Sequence, residues 1–396
     1  MTSGEVRVVR RQWWAWAVVV LVVAAAVAPL VVVWLTNPDD QRLVDLDVYR
    51  TGGQMLLEGR PVYDYVTPAP QLLPFTYPPV AAMLAVALAE MSWGTAQWVW
   101  TAGIFAALAV TVWLSFRQAL RKYVPWVFAL LMVACTYLMP IRDQVRFGQV
   151  DILLVALCLA DCVVKRPWWP RGFLIGLATA VKLTPGVFLI HLLVTRQWRT
   201  FFMAAFTTAV LTLLPFAAIP RDASQFWFSA LLDPERLGSN KATTNQSIRG
   251  MLMRLYLPET ATVAIWLVIV AVVGWYGFRG AREAYRANDQ LTAVALVGLM
   301  AVLLSPVAWI HHLAWVVVVL GAIVGDGRDP VRLRVAAGVW LYYVLPIPWW
   351  GVSLKAADIP GVSLVLGKIV QNGFGLGALV LVWLLVSWLP KRRQIA

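Results

Sequence analysis

The chain has 396 residues, 61% of them hydrophobic and only 13% charged, with a formal net charge of +13; its mean hydropathy is +0.73. A water-soluble protein of this size would expose intolerable apolar surface, so the composition predicts an all-α polytopic membrane protein, one membrane domain over 1–396 with no separate soluble part. Cys135, Cys158 and Cys162 all fall in apolar runs, which suggests neither a disulfide framework nor a thiolate metal site.

In chain order, Arg7, Arg10 and Arg11 precede an apolar run at 13–35. That run is too long for a signal-peptide core and ends in Asn37-Pro38-Asp39 rather than a small-residue cleavage site, so it is expected to stay as a helix. A polar stretch at about 36–92 follows, with a short apolar run near 79–91 expected to lie beside the membrane without crossing it. Further apolar runs occur at about 93–116, 124–140, 149–164, 172–182, 185–195, 200–219, 260–278, 290–305, 313–325, 335–348 and 369–389. Between them stand basic clusters: Arg117/Arg121/Lys122, Lys165/Arg166/Arg171, Arg196/Arg199, Arg279/Arg282/Arg286, Arg328/Arg332/Arg334 and Lys391/Arg392/Arg393. Placing every cluster in the cytoplasm pairs the runs. The result is about 12 membrane helices, cytoplasmic termini, and large external loops at about 36–92 and 220–259. The positive balance is then an orientation signal and requires no nucleic-acid partner.

The runs at 172–182 and 185–195 are each roughly 15 Å of helix against a ~30 Å hydrocarbon core. Their break, Lys182-Leu183-Thr184-Pro185, predicts two short helices or a re-entrant hairpin. Such a turn must be buried in protein or open to a water-filled cavity. Thr184 is a candidate cap for the second helix, and Pro185 suits its first turn.

The unusual polar groups gather on the external side. Asp45 and Asp47 in Val44-Asp45-Leu46-Asp47-Val48-Tyr49-Arg50 lie about 200° apart on a helix. One as a general base, worth roughly 10²–10⁴ in rate, therefore fits better than an acid–base dyad; a metal-holding DxD and a merely solvated acidic pair are the other readings. Phe75-Thr76-Tyr77-Pro78-Pro79 offers rings for headgroup anchoring or for stacking on a sugar. Arg142, Asp143, Arg146 and Asp151 crowd one helix junction, where the arginines either hold a phosphate or knit a salt-bridge network. Lys182 needs an anionic partner, a phosphate or Asp151. Asn245-Gln246-Ser247 and the aromatic run 226–228 suit sugar and lipid contacts or a plain solvated loop. His311 and His312 are adjacent at an external boundary, for hydrogen bonding to a sugar or phosphate or for packing, whereas His191 reads as a packing residue.

Taken in order, these motifs resemble glycosyltransferase family 87, polyprenyl-phosphate-mannose-dependent mannosyltransferases of the GT-C class. The carriers are Asp45-Leu46-Asp47-Val48-Tyr49, Gly59-Arg60-Pro61-Val62-Tyr63-Asp64, Tyr77-Pro78-Pro79, Gly148-Gln149-Val150-Asp151, Lys182-Leu183-Thr184-Pro185, Asn245-Gln246-Ser247 and Ser305-Pro306 through His311-His312. The resemblance implies an inverting transfer outside the cytoplasmic membrane, from polyprenyl-phosphate mannose to a mannolipid or lipoglycan acceptor, in an α-1,2 linkage. By the family pattern Asp45 is the base and the Asp47 position varies; the expected substrate-binding residues are Asp47, Tyr49, Tyr77, Arg142, Arg146, Gln149, Lys182, Asn245, Gln246, His311 and His312, with Lys182 and Arg142 or Arg146 for the phosphate and Asn245, Gln246, His311 and His312 for the sugars. No cofactor or metal is expected, because a phosphate leaving group needs only cations to stabilise it. Polyprenyl-phosphate arabinofuranose is the alternative donor, and a lipid or solute transporter the alternative class.

Overall fold

The computed structural model describes residues 3–38, 41–121 and 124–395. Asp39, Lys122 and the side chains of Arg7, Arg10, Arg11 and Arg121 lie outside the described residues. Helices dominate throughout. Among the described residues the only β pairings are two isolated bridges, Val66 with Pro74 and Asn245 with Trp309.

The chain opens with α1 (Ser3–Thr36), followed by the short α2 (Val44–Leu57) and α3 (Pro79–Ala89), then α4 (Trp93–Phe116). Next come α5 (Val124–Thr136), α6 (Met139–Phe147) and α7 (Asp151–Val163). The broken pair α8 (Phe173–Val181) and α9 (Val187–Val194) leads into α10 (Trp198–Ala218). Two loop helices, α11 (Pro220–Phe228) and α12 (Ile248–Met253), precede the long α13 (Glu259–Arg286) and α14 (Gln290–Leu303). A 3-10 segment, Ile310–Trp315, runs into α15 (Val316–Val324). The chain closes with α16 (Pro330–Val344), α17 (Ile347–Ala356), α18 (Ser363–Gln371), α19 (Gly373–Trp383) and α20 (Leu389–Ile395).

Among the described residues, five helices are long and apolar enough to cross a membrane: Trp14–Thr36, Trp93–Phe116, Trp198–Ala218, Glu259–Arg286 and Gly373–Gln394. Two bent pairs, 125–147 with a 74° break and 330–356 with a 51° break, raise the number to as many as seven. The protein is thus a multi-pass membrane protein. Every apolar run read from the sequence is helical, but several, such as the nine-residue α8, span about 14 Å and fall short of the hydrocarbon core.

The centre is built on α14 and α15, which are apolar and buried on nearly every face, the pattern of an interior helix rather than an amphipathic one. Small residues set the spacing there. A Cβ on Gly298 would lie 2.2 Å from the Trp315 ring, and one on Gly321 would meet the Ser115 backbone at 2.6 Å. Close approach of this kind lets membrane helices gain dispersion energy without a hydrophobic driving force.

The expected first loop is in fact two packed helices. Gly53 brings α2 against the α3 backbone, where a Cβ would come within 2.5 Å of the Ala85 carbonyl oxygen, and Gly52 admits the Phe75 ring. Phe75 and Tyr77 are consequently buried, so interfacial anchoring does not describe them. At the broken pair, the chain leaves α8 at an extended Lys182 (φ −149°, ψ 130°) and enters a short 3-10 turn with Pro185 in its first positions. Thr184 makes no capping bond there. The stretch 349–368, left unassigned by hydropathy, forms most of the hairpin of α17 and α18, closed by Gly351 against the backbone of Gln371.

Candidate active site

A cavity of about 350 Å³ opens where α2, the α6–α7 junction, the α8–α9 break and the segment 305–312 meet. Asp45, Tyr77, Gln149, Lys182, His311 and His312 all line it. Glycine 148 fixes the first two elements relative to each other. It ends α6 in the left-handed region (φ 71°), and a Cβ there would strike Leu46 Cβ at 2.8 Å. Its carbonyl accepts from Trp100 Nε1 at 2.7 Å, while Leu43 N–H donates to the Arg146 carbonyl at 3.1 Å. Gln149, one residue on, is thereby held beside Asp45.

The Gln149 side chain ties three groups together. Its Oε1 accepts from the Tyr49 and Tyr77 hydroxyls, each at 3.2 Å, and those hydroxyls lie 2.8 Å apart. The amide nitrogen is left for the Asp45 carboxyl, to which Gln149 is hydrogen-bonded. Burial pushes Asp45 up from 3.8 to about 7, against the opposing pull of that hydrogen bond and of the Lys182 charge. A carboxylate in this range is protonated or free in comparable amounts near neutrality, the condition a general base needs. Asp47 lies on the other side of α2, in a separate cavity with Thr67 and 68–71. Burial raises it too, opposed by the Arg50 charge. The two carboxylates of the DxD therefore do not share a cavity.

Across from α2, Lys182 Nζ donates to Asp151 Oδ1 at 2.8 Å and lies 3.0 Å from His312 Nε2; its ammonium also sits 5.3 Å above the centre of the Tyr77 ring. Trp309 N–H donates to His312 Nδ1, which places the proton of a neutral ring on Nε2. Lys182 and His312, 3.0 Å apart, then present two donors side by side to the cavity, an arrangement that an oxyanion touching both from the cavity side would satisfy. Behind them, Asp151 Oδ2 and His311 Nε2 are buried without hydrogen-bond partners, 3.7 Å apart. Donor atoms of Asp151, His311 and His312 all lie within 4.8 Å of one another, close enough to hold a metal ion. The Lys182 ammonium, at 2.8 Å from one and 3.0 Å from another of these three side chains, already supplies a cation at that place.

The amide motif 245–247 performs a different task from the expected sugar contact. Asn245 and Gln246 are fully buried. Asn245 Oδ1 accepts from the N–H of Ser247 at 3.2 Å and of Ala308 at 3.0 Å, and Gln246 N–H donates to the Ala308 carbonyl at 2.7 Å. Gln246 Oε1 accepts from Gly375 N–H at 2.9 Å, and Ser247 Oγ donates to the Pro306 carbonyl at 3.0 Å. Their polar atoms are thus spent on backbone groups, part of them pinning the segment that presents His311 and His312 and part tying the motif to Gln371 and Gly375. Arg254 reinforces this through Asn372 Oδ1 and the carbonyls of Ala242 and Asn245.

Arg142 and Arg146 do not line the cavity. The Arg142 Nε is buried without a partner, and the Arg146 guanidinium lies 5.1 Å from the Phe147 ring centre. His191 is buried against the Tyr285 ring, as a packing residue should be. In the aromatic run, Phe226 is buried at the cavity edge whereas Phe228 is exposed. Sequence reasoning missed Arg236, which lines the cavity and donates to the Tyr63 carbonyl at 2.9 Å; it sits in a loop with no motif to flag it.

Fold and site together define a multi-pass membrane protein in which a buried carboxyl and a cationic group share one cavity. The chain belongs to glycosyltransferase family 87, whose model matches residues 75–306. It is 36% identical, over 77% of its length and 76% of the relative's, to a polyprenol-phosphate-mannose-dependent alpha-(1-2)-phosphatidylinositol mannoside mannosyltransferase of Mycolicibacterium smegmatis. The correspondingly named Mycobacterium tuberculosis protein is 34% identical over 82% of this chain and 81% of its own. Among solved structures, ArnT from Cupriavidus metallidurans, bound to undecaprenyl phosphate, is similar at a TM-score of 0.41 and 16% identity, covering 93% of this chain and 77% of that one.

Proposed function

We propose that the protein is an inverting, metal-independent α-mannosyltransferase. It moves mannose from polyprenyl-phosphate mannose to a phosphatidylinositol mannoside or related lipoglycan, in an α-1,2 linkage. It does so as a single GT-C type domain of about 12 membrane segments, with both termini cytoplasmic and the site on the external face of the cytoplasmic membrane. The names of the family 87 relatives support the donor and acceptor classes. The observation that carries the reading is the presence, in one cavity, of a base near neutrality and an anion-ready donor pair, Asp45 with Lys182 and His312.

The step follows from those positions. Asp45 takes the proton of the acceptor hydroxyl as that oxygen attacks the anomeric carbon from the face opposite the phosphate. The carbon–oxygen bond to phosphate breaks, and the electron pair leaves on polyprenyl phosphate. Lys182 and His312 stabilise the charge that grows on that phosphate, aimed there before reaction and so at no cost of reorganisation. His311, Tyr77 and Gln149 orient the sugars. An apolar groove of about 230 Å³, walled by Tyr77, Ala81, Ala85, Leu154, Leu177 and Val181, adjoins the site through Tyr77 and takes the start of the prenyl chain.

Donor competition tests the assignment. Purified enzyme in lipid, given a phosphatidylinositol mannoside acceptor and equal amounts of the two radiolabelled donors, is expected to transfer mannose and leave arabinofuranose unused. Preferential arabinose transfer, or movement of intact donor across the bilayer without sugar release, would overturn it.

A further inference from the structure

At the opposite, arginine-rich end of the molecule lies a second polar cavity, of about 430 Å³, between the end of α9 and the last turns of α13. Its lining includes Val194, Trp275, Arg279, Arg282 and Arg286. Positions 268, 272, 275, 279, 282 and 286 follow alternating steps of four and three, so they form one stripe along α13. The first three, Val268, Val272 and Trp275, are exposed at 64%, 60% and 63%, on a helix whose apolar window is only 17% buried in the protein. This face therefore meets acyl chains. Without any turn of the helix it passes through an interfacial Trp into three arginines.

The geometry matches a lipid headgroup in depth. Arg279 and Arg282 stand about 6 and 10 Å beyond Trp275 along the axis, and Arg286 about 16 Å. Side chains on a helix lean toward its N-terminus, here toward the membrane, which brings Arg286 back to the same level. The Arg279 guanidinium lies 5.5 Å from the Trp275 ring centre and is paired with Glu283 at 2.8 Å. Arg282 and Arg286 make no ion pair among the described residues. Glu283 also lines the cavity, its carboxylate taken up by Arg279; the two remaining guanidinium groups, beside an acyl-facing wall, suit a phosphate oxyanion attached to a diacyl tail, since planar donors match phosphate geometry.

We propose that this cavity binds the phosphate headgroup of an anionic phospholipid from the leaflet opposite the catalytic cavity, a site separate from donor and acceptor. The test uses the full chain in detergent, with the thermal midpoint followed on adding phosphatidylglycerol, phosphatidylcholine or inorganic phosphate. Phosphatidylglycerol is expected to raise the midpoint, and the other two to leave it unchanged. Arg282→Gln/Arg286→Gln should lose most of that shift while keeping mannosyl transfer, whereas Arg328→Gln/Arg334→Gln, which removes equal charge elsewhere at the basic end, should keep it. An undiminished shift in the first double variant would overturn the site. Equal loss in the second would reduce it to general charge, and an equal response to inorganic phosphate would replace the lipid with a free anion.

Discussion

In the proposed reaction, Asp45 as the base sets the pH dependence. With its carboxyl raised to about 7, the ionised fraction is about one tenth at pH 6, one half at pH 7 and nine tenths at pH 8. Because the free carboxylate is the active form, transfer rises with pH through this window and levels off above it; the sign would be reversed for a catalytic acid. Gln149 opposes the effect of burial by hydrogen-bonding the carboxyl. A hydrogen bond to a charged group is worth about 1.5–3 kcal/mol, or about one to two pH units. Gln149→Leu should therefore move the limb upward by that amount and cut transfer at pH 7 by about five- to fiftyfold. The assay is the initial rate of radiolabelled mannose transfer at subsaturating donor, from pH 5 to 9, for wild type and Gln149→Leu. A flat wild-type profile, a limb near pH 4, or a downward shift in the variant would refute the reasoning.

Other substitutions separate chemistry from scaffolding. Lys182→Met leaves Asp151 buried and unpaired, a loss of roughly 3–5 kcal/mol, and should weaken donor binding as well as lower the melting temperature; unchanged donor affinity would remove Lys182 from the phosphate site. Asn245→Ala strands the buried N–H groups of Ser247 and Ala308, at about 1–3 kcal/mol each, and should lower thermal stability and activity together. Loss of activity at wild-type stability would instead make Asn245 a substrate contact. Gly148→Ala forces a side chain onto Leu46 at a positive φ, so a loss of about 1–3 kcal/mol and a slower reaction are expected in denaturant and transfer assays. Asp47→Asn, in its separate cavity, should stay within about threefold of wild type; inactivity in a folded variant would return the two aspartates to a common role.

Much of the site was legible because its chemistry is costly in a membrane. Lys182 and the paired histidines stand out in apolar surroundings, and the structure brings them to one cavity with Asp45, Tyr77 and Gln149. The break at 182–185 was equally plain, since each flanking run is too short to cross. What composition hides is whether a polar side chain serves substrate or backbone. Asn245 and Gln246 look like sugar ligands in an external loop, yet their side-chain amides are consumed by backbone groups, Asn245 by Ser247, Ala308 and Asn240 and Gln246 by Thr243, Gln371 and Gly375, several of them remote in sequence. Lys182 offered both a phosphate and Asp151 as partners, and only the fold shows the 2.8 Å ion pair. Helices α2, α17 and α18 escaped hydropathy because they are short and rich in glycine, proline or polar residues. Arg236 escaped because loop arginines are ordinary until a fold closes a cavity around them.

The central claim is tested most directly by single-turnover transfer from radiolabelled polyprenyl-phosphate mannose to a phosphatidylinositol mannoside in the presence of EDTA, comparing wild type with Asp45→Asn. The account predicts full product from wild type and a rate lower by about 10²–10⁴ in the variant, with donor binding retained. A variant as fast as wild type, or a wild type silenced by EDTA and restored by a divalent metal, would contradict it.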